Sequence, residues 1–501
     1  MWPAQYPSEV SVIQISVTSK KTLSPATVLL SWEKETSFLN APGRAGDTLH
    51  KALREEGFEG KPAQAAASVS TGKTLSSRVV ALGLGAKTSV TPEVLRRAGG
   101  RLARKAREIR LEEASLVWPR SLTPEQAKAF TEGLLLGSYQ FNRYKTQLKD
   151  NPKGITRFAF QTHPEAAAGV KKAVQTAEAY CSGVVLARDL INGAPSDVTP
   201  KVLADTARKI AKGPVKARVY GKSELKRMGA GGLLGVNIGS AQEPYLIHLH
   251  YKPKGVSRKS VAIVGKGITF DSGGLSLKPA GSMETMKMDM SGAAAVLGVF
   301  SQLAVLKPPV EVHGIIATTE NMPGGRAYKP GDVLKAMNGK TMEVLNTDAE
   351  GRLILADALS YAVRQKPDAM IDMATLTGAC IIALGWLVTG AMTNNPKLLE
   401  DLKEASEAEG ERLWELPLVD EYRNDIKSRV ADIKNIGGGR DAGSIIGGLF
   451  LQEFVGETPW VHLDIAGPAY PEKDYSGIPY QFSFSGAGLM VRTLLTFLKN
   501  A

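Results

Sequence analysis

The chain has 501 residues, a length that predicts two or three domains. Hydrophobic residues make up 43% and charged residues 22%, which excludes a wholly disordered or fibrous chain. Only two cysteines are present, Cys181 and Cys380, so a disulfide framework or a cysteine-rich zinc module is excluded as well. A reducing, cytoplasmic compartment is the default expectation.

The formal net charge of +12 is distributed unevenly. Residues 1–250 contain 36 Lys and Arg against 21 Asp and Glu, a net charge of +15, whereas residues 251–501 contain 26 against 29, a net charge of −3. Such asymmetry can indicate contact of the basic half with nucleic acid or a membrane. A basic, solvated surface is the interpretation that we favour.

Short strands and helices alternate in the first part of the chain, which predicts an α/β domain with a mixed or parallel sheet over residues 1–160. The predicted strands are Val10–Val17, Ala26–Trp32, Arg78–Leu84 and Leu116–Trp118, and the predicted helices are Pro92–Arg110 and Pro124–Tyr139. A domain boundary is expected at residues 149–155, where Asn, Pro and Gly occur among charges.

A long Ala-rich stretch, Pro164–Asn192, predicts a helix that connects two domains across residues 161–195. Residues 196–501 then alternate again and predict a second, larger α/β domain with a central sheet. Its predicted strands are Ala217–Tyr220, Tyr245–Tyr251, Val261–Gly265, Val310–Thr319, Ala369–Ala374 and Trp460–Ile465.

One apolar segment, Met373–Met392, is long enough to cross a bilayer and has no charge. Its glycines and threonines dilute the apolar character, so we interpret it as a buried strand followed by a buried loop or helix. The N-terminus lacks the basic and apolar pattern of a secretory signal. We therefore expect no membrane contact.

Two carboxylates stand close together in the segment Asn346–Leu353, NTDAEGRL, between a strand-like run and an apolar-periodic helix. Asp348 and Glu350 at i and i+2 would point to the same side of an extended segment. A carboxylate before a helix is often only an N-cap, and for this segment alone capping is the favoured interpretation.

A second segment, Val261–Gly274, runs from a buried strand into a glycine-rich loop with Lys266 and Asp271. A phosphate-binding loop is the alternative hypothesis, but neither GxxxxGK[ST] nor GxGxxG is present. Asp289 follows shortly, before a small-residue helix at Ser291–Phe300, and could again be a cap.

Together these segments supply Asp271, Asp289, Asp348 and Glu350, all at loop ends. Four carboxylates in one place would repel one another and raise their pKa values. Divalent cations relieve that repulsion, and oxygen-rich ligation suits a pair of metal ions.

Four segments resemble the cytosolic leucyl aminopeptidase family, a class of two-metal exopeptidases: VGKGITFDSGG, MKMDMSGAAAV, ENMPGGRAYKPGDV and NTDAEGRL. The resemblance extends from about residue 170 to the C-terminus. It implies a variable N-terminal α/β domain, a catalytic α/β domain with a central mixed sheet, and a homohexamer.

By this resemblance, one metal would be held by Lys266, Asp271, Asp289 and Glu350, and the other by Asp271, Asp348 and Glu350. The ions would be Mn²⁺ or Zn²⁺, or alternatively Mg²⁺ or Co²⁺. Lys266 would have to be neutral to bind a metal; outside a metal site it would pair with Asp271.

The resemblance also implies a reaction in which a hydroxide bridging the metals attacks the first peptide carbonyl. The metals would bind the free α-amine, so that only N-terminal residues are removed. Lys278 would stabilise the oxyanion, and Arg352 would hold a bicarbonate that acts as general base. Alternatively, Lys278 and Arg352 only balance the negative charge of the carboxylates. The first side chain, Leu or Met by preference, would be bound by Met286, Thr375, Gly378 and Ala466.

Two further features remain outside this site. His248 and His250 face the same side of a strand and could bind a metal, but no third ligand is evident in the sequence and we expect a partly exposed strand face. The Pro92–Arg110 helix has seven Arg and Lys residues, which predicts at most weak, sequence-independent DNA binding.

Overall fold

The computed structural model describes residues 13–20, 24–35, 37–40, 44–69, 76–147, 152–255, 257 and 259–501. The chain divides into two compact units within one long helix. Among the described residues, those before Ser182 form the first unit together with Asp474–Phe482, and Ser182–Lys473 with Ser483–Ala501 form the second. The predicted α/β architecture, a smaller N-terminal part and a larger C-terminal part, is confirmed.

The first unit is built on a six-stranded sheet. Its strands are β1 (Gln14–Thr18), β2 (Ala26–Ser31), β3 (Ala65–Val69), β4 (Arg78–Gly83), β5 (Glu113–Val117) and β6 (Arg157–Gln161). The order across the sheet is β1-β6-β5-β2-β4-β3, and all pairs are parallel except β3 with β4. The sheet is therefore mixed.

The helices of this unit are α1 (Arg44–Glu55), α2 (Pro92–Glu108), α3 (Pro124–Ser138) and the first half of α4 (Pro164–Asn192). Threonine caps and a proline in the first turn fix two helix starts, because Thr91 accepts from the amide of Val94 and Thr123 from that of Gln126. The range Pro164–Asn192 for α4 agrees with the sequence-based prediction.

Most basic side chains of α2 are bound within the first unit. Arg96 is buried and bonds to Glu132 at 2.9 Å and Glu93 at 2.7 Å, and Arg97 pairs with Glu93. Arg104 donates to the carbonyls of Pro479 and Gln481, and Arg107 to those of Gly137 and Ser138. The positive face expected from the spacing is thus partly neutralised by the fold.

The second unit contains an eight-stranded mixed sheet and a three-stranded one. The strands are β7 (Val215–Tyr220), β8 (Tyr245–Tyr251), β9 (Ser260–Asp271), β10 (Glu311–Asn321), β11 (Val333–Lys335), β12 (Thr341–Glu343), β13 (Ala369–Ala374), β14 (Val388–Thr393), β15 (Arg412–Glu415), β16 (Ile433–Lys434) and β17 (Trp460–Asp464). The large sheet has the order β15-β14-β17-β13-β9-β10-β8-β7, and the small one β11-β12-β16. The four central strands, β17, β13, β9 and β10, are parallel.

The remaining helices pack around these sheets. They are α5 (Pro200–Ile210), α6 (Lys222–Met228), α7 (Gly231–Asn237), α8 (Ala280–Met283), α9 (Ser291–Leu306), α10 (Gly351–Val363), α11 (Gly378–Leu384), α12 (Pro396–Glu409), α13 (Gly443–Gln452) and α14 (Val491–Asn500). Helix α10 is buried along almost its whole length, and its apolar residues form the main core cluster with β9, β10 and β13.

Strand β9 is longer than its sequence predicts. The glycine-rich segment expected to be a loop after Gly265 continues as strand to Asp271, because β10 pairs with it in parallel as far as Asn321. Lys266 therefore points from a strand rather than from a flexible loop. This placement removes the basis for the phosphate-loop hypothesis, which needed a glycine-rich turn at Lys266.

The segment Met373–Met392 forms the end of β13, helix α11 and most of β14. The strands are buried as expected, whereas α11 is half-exposed, with Ile382 89% accessible, so the expectation of full burial was wrong for the helix. Another stretch, Ala280–Leu306, is long and apolar enough to span a membrane, but 72% of its most apolar window is buried inside the fold.

Candidate active site

The four carboxylates predicted from the sequence meet at one edge of the large sheet. Asp271 ends β9, Asp289 precedes α9, and Asp348 and Glu350 precede α10. Asp271 and Asp289 come from the end of β9 and the segment after it, whereas Asp348 and Glu350 come from the loop between β12 of the small sheet and α10. Asp271, Asp289 and Glu350 are buried, while Asp348 is partly exposed.

The capping interpretation fails for these carboxylates. Glu350 occupies the N-cap position of α10 but makes no side-chain capping bond, and the same position of α9 is Met290 rather than Asp289. Asp348 and Glu350 also lie on a turn rather than on an extended segment, so it is the turn and not a strand period that brings them together. The carboxylates are therefore free for another role.

Two lysines lie among the carboxylates and neutralise them in part. Lys266 Nζ lies 2.8 Å from Asp289 Oδ1 and 2.9 Å from Glu350 Oε1. Lys278 Nζ lies 2.9 Å from Asp271 Oδ2 and also contacts Asp348 Oδ1. The pairing of Lys266 with Asp271 that the sequence suggested is wrong, because Asp271 pairs with Lys278 instead.

The electrostatics of the cleft follow from burial and crowding. Burial and then the charge of Asp271 raise the pKa of Glu350 to about 8, and burial is also the main cause that raises the pKa of Asp289 to about 6. Burial alone would lower the pKa of Lys266, but Asp289, Glu350 and Asp271 outweigh it and raise that pKa. The cleft thus holds more negative charge than its lysines balance.

Polar neighbours fix the orientation of the carboxylates. Asn321 Nδ2 donates to Asp271 Oδ1 at 2.8 Å and to the carbonyl of Thr347 at 2.9 Å. Tyr328 donates to the same carbonyl at 2.7 Å, and Thr375 Oγ1 donates to Asp289 Oδ1 at 2.8 Å. The site is therefore held in place before any ligand binds.

Arg352, in the first turn of α10, is buried at the wall of the cleft. Its Nη1 donates to the carbonyl of Asn435 at 2.8 Å, while its buried Nε has no hydrogen-bond partner. Burial lowers the pKa of Arg352 to about 10, which still leaves the guanidinium charged at neutral pH. A buried charged donor without a partner suits a small anion.

All eleven residues predicted for the site line one cavity of about 260 Å³. These are Lys266, Asp271, Lys278, Met286, Asp289, Asp348, Glu350, Arg352, Thr375, Gly378 and Ala466. Their individual roles stay predictions. Thr375 differs from the expectation in one respect: its hydroxyl and its carbonyl, which accepts from Lys266, face polar partners, so its contribution to an apolar slot is small.

The donor set fits divalent metal ions. Asp289 Oδ2 is buried and has no hydrogen-bond partner, a costly state for a carboxylate oxygen that a cation would relieve. One carboxylate oxygen each from Asp271, Asp348 and Glu350 lie within 4.8 Å of one another, close enough to share an ion. Oxygen-rich ligation of this kind suits Mg²⁺, Mn²⁺ or Zn²⁺.

Several supporting residues escaped the sequence analysis. Asn321, Tyr328 and Thr347 were not predicted as site residues. Asn321 donates to Asp271, and Asn321 and Tyr328 both donate to the carbonyl of Thr347. Ile381 and Leu376 also line the cavity and were not predicted. Of these residues, Asn321 could have been found from the sequence, because it lies in ENMPGG directly after the predicted strand Val310–Thr319.

Comparisons with known proteins identify the family of the chain. Sequence profiles of the cytosol aminopeptidase family match residues 185–495 for its catalytic domain and residues 30–148 for its N-terminal domain. A probable cytosol aminopeptidase of Geobacter sp. (strain M21) is 44% identical, with 97% of this chain and all of the relative covered. One from Aquifex aeolicus (strain VF5) is 45% identical, with 90% of this chain and 91% of the relative covered.

Among solved structures, the bottromycin maturation enzyme BotP in complex with Mn superposes with a TM-score of 0.84. It is 34% identical, and the match covers 95% of this chain and 99% of the other. The family is thus matched across both units of the chain, by sequence and by fold. This chain belongs to the cytosol aminopeptidase family.

Proposed function

We propose that this aminopeptidase uses two divalent metal ions in the carboxylate cleft to remove Leu-like or Met-like residues from the N-terminus of peptides. The observation that carries the proposal is the set of four carboxylates and two lysines around one cavity, with a buried oxygen of Asp289 left unpartnered. The Mn in the BotP complex supports manganese as one suitable ion.

Asp271, Asp289, Asp348, Glu350 and a neutral Lys266 would hold the ions. When bound, the ions supply a nucleophile at neutral pH and polarise the scissile carbonyl. Lys266 would lose its proton on metal binding, because ligands of a bound ion must offer a lone pair. The hydrogen bond from Asn321 fixes the orientation of the Asp271 carboxylate.

Two cations of the chain would act on the substrate. Lys278 has its ammonium at the mouth of the carboxylate cluster, where it can donate to the oxygen that becomes negative during attack. Arg352 offers its unpartnered Nε, which supports the binding of a bicarbonate there. Lys278 has a third N–H beyond its contacts with Asp271 and Asp348, and the Nε–H of Arg352 has no partner, so each group has a donor available.

The first side chain of the peptide would be bound by the less polar wall of the cavity. Met286 and Ala466 supply apolar atoms, and the position where Gly378 would carry a side chain is open space. Ile381 and Leu376 extend this wall. A flexible thioether and small residues suit an unbranched or γ-branched side chain such as Met or Leu.

Activity on a leucine anilide tests the proposal directly. We expect the chelator-treated enzyme to be inactive and added Mn²⁺ or Zn²⁺ to restore turnover. A peptide that begins with Leu should be cleaved, and its N-acetylated form should not, because the free amine is needed for binding and orientation. Equal cleavage of both peptides, or full activity after chelation, would contradict the mechanism.

The assembly and location follow from the family as further proposals. We propose a cytoplasmic homohexamer; the name of the relatives, cytosol aminopeptidase, supports the location. Light scattering of the purified chain at micromolar concentration tests the assembly. A monomer would contradict it.

Binding of DNA by the basic first half is a weaker proposal. The net charge of +15 in residues 1–250 supports it, while the internal pairing of Arg96, Arg97, Arg104 and Arg107 reduces the charge available to phosphates. We expect weak binding without sequence preference that disappears as salt rises. An anisotropy titration with two unrelated duplexes across salt concentrations decides this, and tight binding of one duplex at physiological salt would contradict it.

A further inference from the structure

Three histidines and a glutamate meet at the other end of the strands that lead to the active site. His248 and His250 lie on β8, and Glu311 and His313 lie on the antiparallel neighbour β10. The register places His313 opposite His250. The two β8 histidines lie on a partly exposed strand face, as expected. The expectation that no third ligand is near them was wrong, because strand pairing brings Glu311 and His313 beside them.

From this juxtaposition we propose that His250, Glu311 and His313 form a further metal site, which binds Zn²⁺ or a similar borderline cation and is separate from the peptidase centre. One ligand atom from each of the three residues lies within 4.8 Å of the others. Two imidazoles and one carboxylate, with a fourth position open to water, are a ligand set that zinc accepts.

The distances suit an ion of this size. His250 Nε2 lies 2.6 Å from Glu311 Oε1, and His313 Nε2 lies 3.8 Å from the same oxygen. Ligand atoms at about 2.0–2.1 Å from a tetrahedral zinc are about 3.3 Å from each other. The two observed distances bracket that value, so side-chain shifts below an ångström bring the atoms to it.

One rotation is needed as well. The rings of His250 and His313 stack at 4.6 Å with an interplanar angle of 5°, so their lone pairs run parallel instead of converging. His250, whose side chain is 34% exposed, would turn about its last side-chain bond and exchange its contact with Glu311 for the metal. His313 is only 9% exposed and is held by other bonds, so it provides the fixed half of the site.

A hydrogen-bond chain behind His313 sets its tautomer. His313 Nδ1 lies 2.9 Å from His248 Nε2, His248 Nδ1 lies 3.0 Å from the hydroxyl of Tyr361, and that hydroxyl lies 2.9 Å from the hydroxyl of Tyr220. In one arrangement His313 Nδ1 donates to His248 Nε2, His248 Nδ1 donates to Tyr361, and Tyr361 donates to Tyr220. Each hydrogen bond then has one donor and one acceptor, and His313 Nε2 keeps its lone pair. In the reverse arrangement His313 Nε2 would carry the proton. That N–H would lack an acceptor in Glu311, because the Glu311 carboxylate is 3.8 Å away and beyond hydrogen-bond distance.

Glu311 supplies the negative charge of the cluster. Two cations, Lys216 and Arg218, lie opposite His250 and His248 on β7.

The site is remote from the peptidase centre. His313 and Asn321 are eight residues apart on β10, and at about 3.3 Å per residue this is roughly 26 Å. No residue is shared, and imidazole is absent from the proposed ligands of the active site. A metal bound at the histidines would therefore cross-link β8 to β10 without entering the peptide cleft.

Zinc stoichiometry tests the proposal. Chelated full-length enzyme is dialysed against Zn²⁺ and the bound metal is counted per chain. We expect the double variant His250→Gln, Glu311→Gln to bind one zinc fewer than the wild type. His163→Gln, which removes a histidine from the other unit, should bind as many as the wild type. Equal counts in the double variant and the wild type would overturn the proposal.

X-ray absorption of the zinc-loaded wild type gives a second measurement that needs no variant. Imidazole has a distinct scattering pattern, and the peptidase centre as proposed contributes only lysine, carboxylate and water. We expect an imidazole shell in the wild type. Its absence at saturating zinc would overturn the site even if the variants fail to fold, and it would leave the activity tests of the peptidase centre unaffected.

Discussion

The two ends of strand β10 differ in the types of side chain that surround them. At its C-terminal end Asn321 supports Asp271 in a cleft of carboxylates, whereas at its N-terminal end Glu311 and His313 meet the histidines of β8. The first group is oxygen-rich and suits hard cations; the second is imidazole-rich and suits borderline ones.

The two ends also reach their geometry by different routes. The carboxylates come from the end of β9 (Asp271), from the segment before α9 (Asp289) and from the loop between β12 and α10 (Asp348 and Glu350), so two sheets and two helices must be in place to bring them together. The histidines come from within two antiparallel strands and depend on the register of a single pair. The carboxylate cluster thus needs the whole domain to be folded, whereas the histidine cluster needs only the antiparallel pairing of β8 with β10.

The largest expected difference between the two ends is in catalysis. Glu350→Ala or Asp348→Asn should lower turnover of a leucine anilide by about 10³-fold or more, because the metals lose charge and a ligand. The same variants should still bind zinc at the proposed site of His250, Glu311 and His313. Kinetics at saturating Mn²⁺ and zinc counts after dialysis check both statements.

The surface variant Glu400→Gln, which removes an exposed carboxylate on α12, is the matched control and should keep wild-type kinetics. Thermal unfolding of each variant confirms that the fold persists. Near-wild-type turnover of a folded Glu350→Ala protein would contradict the assignment of the cleft.

A smaller effect is expected at the residue that supports Asp271. Asn321→Ala removes the amide that orients Asp271 and the carbonyl of Thr347, and loss of such a partner costs about 10–100-fold in metal affinity. Activation by Mn²⁺ should then require correspondingly more metal. Asn338→Ala, in an exposed turn, should leave the activation curve unchanged; a similar shift in both variants would show that the effect is not local.

The smallest effect concerns the pH dependence of stability at the histidine end. His248 faces His313, Arg218 and Tyr361, and its folded pKa of about 4 lies below the ordinary 6.5. A lowered histidine pKa gives stability that is present above about pH 6.5 and is lost as pH falls towards 4. Between pH 7.5 and 5.5 the loss from this residue is about 1 kcal/mol.

Unfolding of wild type and His248→Gln in chelator, at pH 7.5 and pH 5.5, measures this loss. The variant should lose less stability on acidification than the wild type, even if it is less stable at both pH values. The difference between the two slopes isolates His248 from the acid groups of the cleft. Identical slopes would contradict a neutral, partly buried His248.

Much of the fold was predictable because its signals are local. The range of α4, the starts of α2 and α3 at Thr-Pro pairs, and the strands β8 and β13 follow from helical spacing, capping and apolar runs. Short edge strands such as β15 and β16 were missed, since two to four residues carry too little periodicity. The extension of β9 to Asp271 depended on a partner strand far along the chain.

For the site, the sequence by itself determined which residue types take part: carboxylates, lysines and an arginine in compact motifs, all of which line one cavity. Only the tertiary structure decided how they pair, since Lys278 rather than Lys266 reaches Asp271. It likewise decided that His250 has Glu311 and His313 beside it. The physical reason is the same in both cases: motifs fix chemistry within a few residues, whereas pairing between strands sets the distances between groups far apart in the chain.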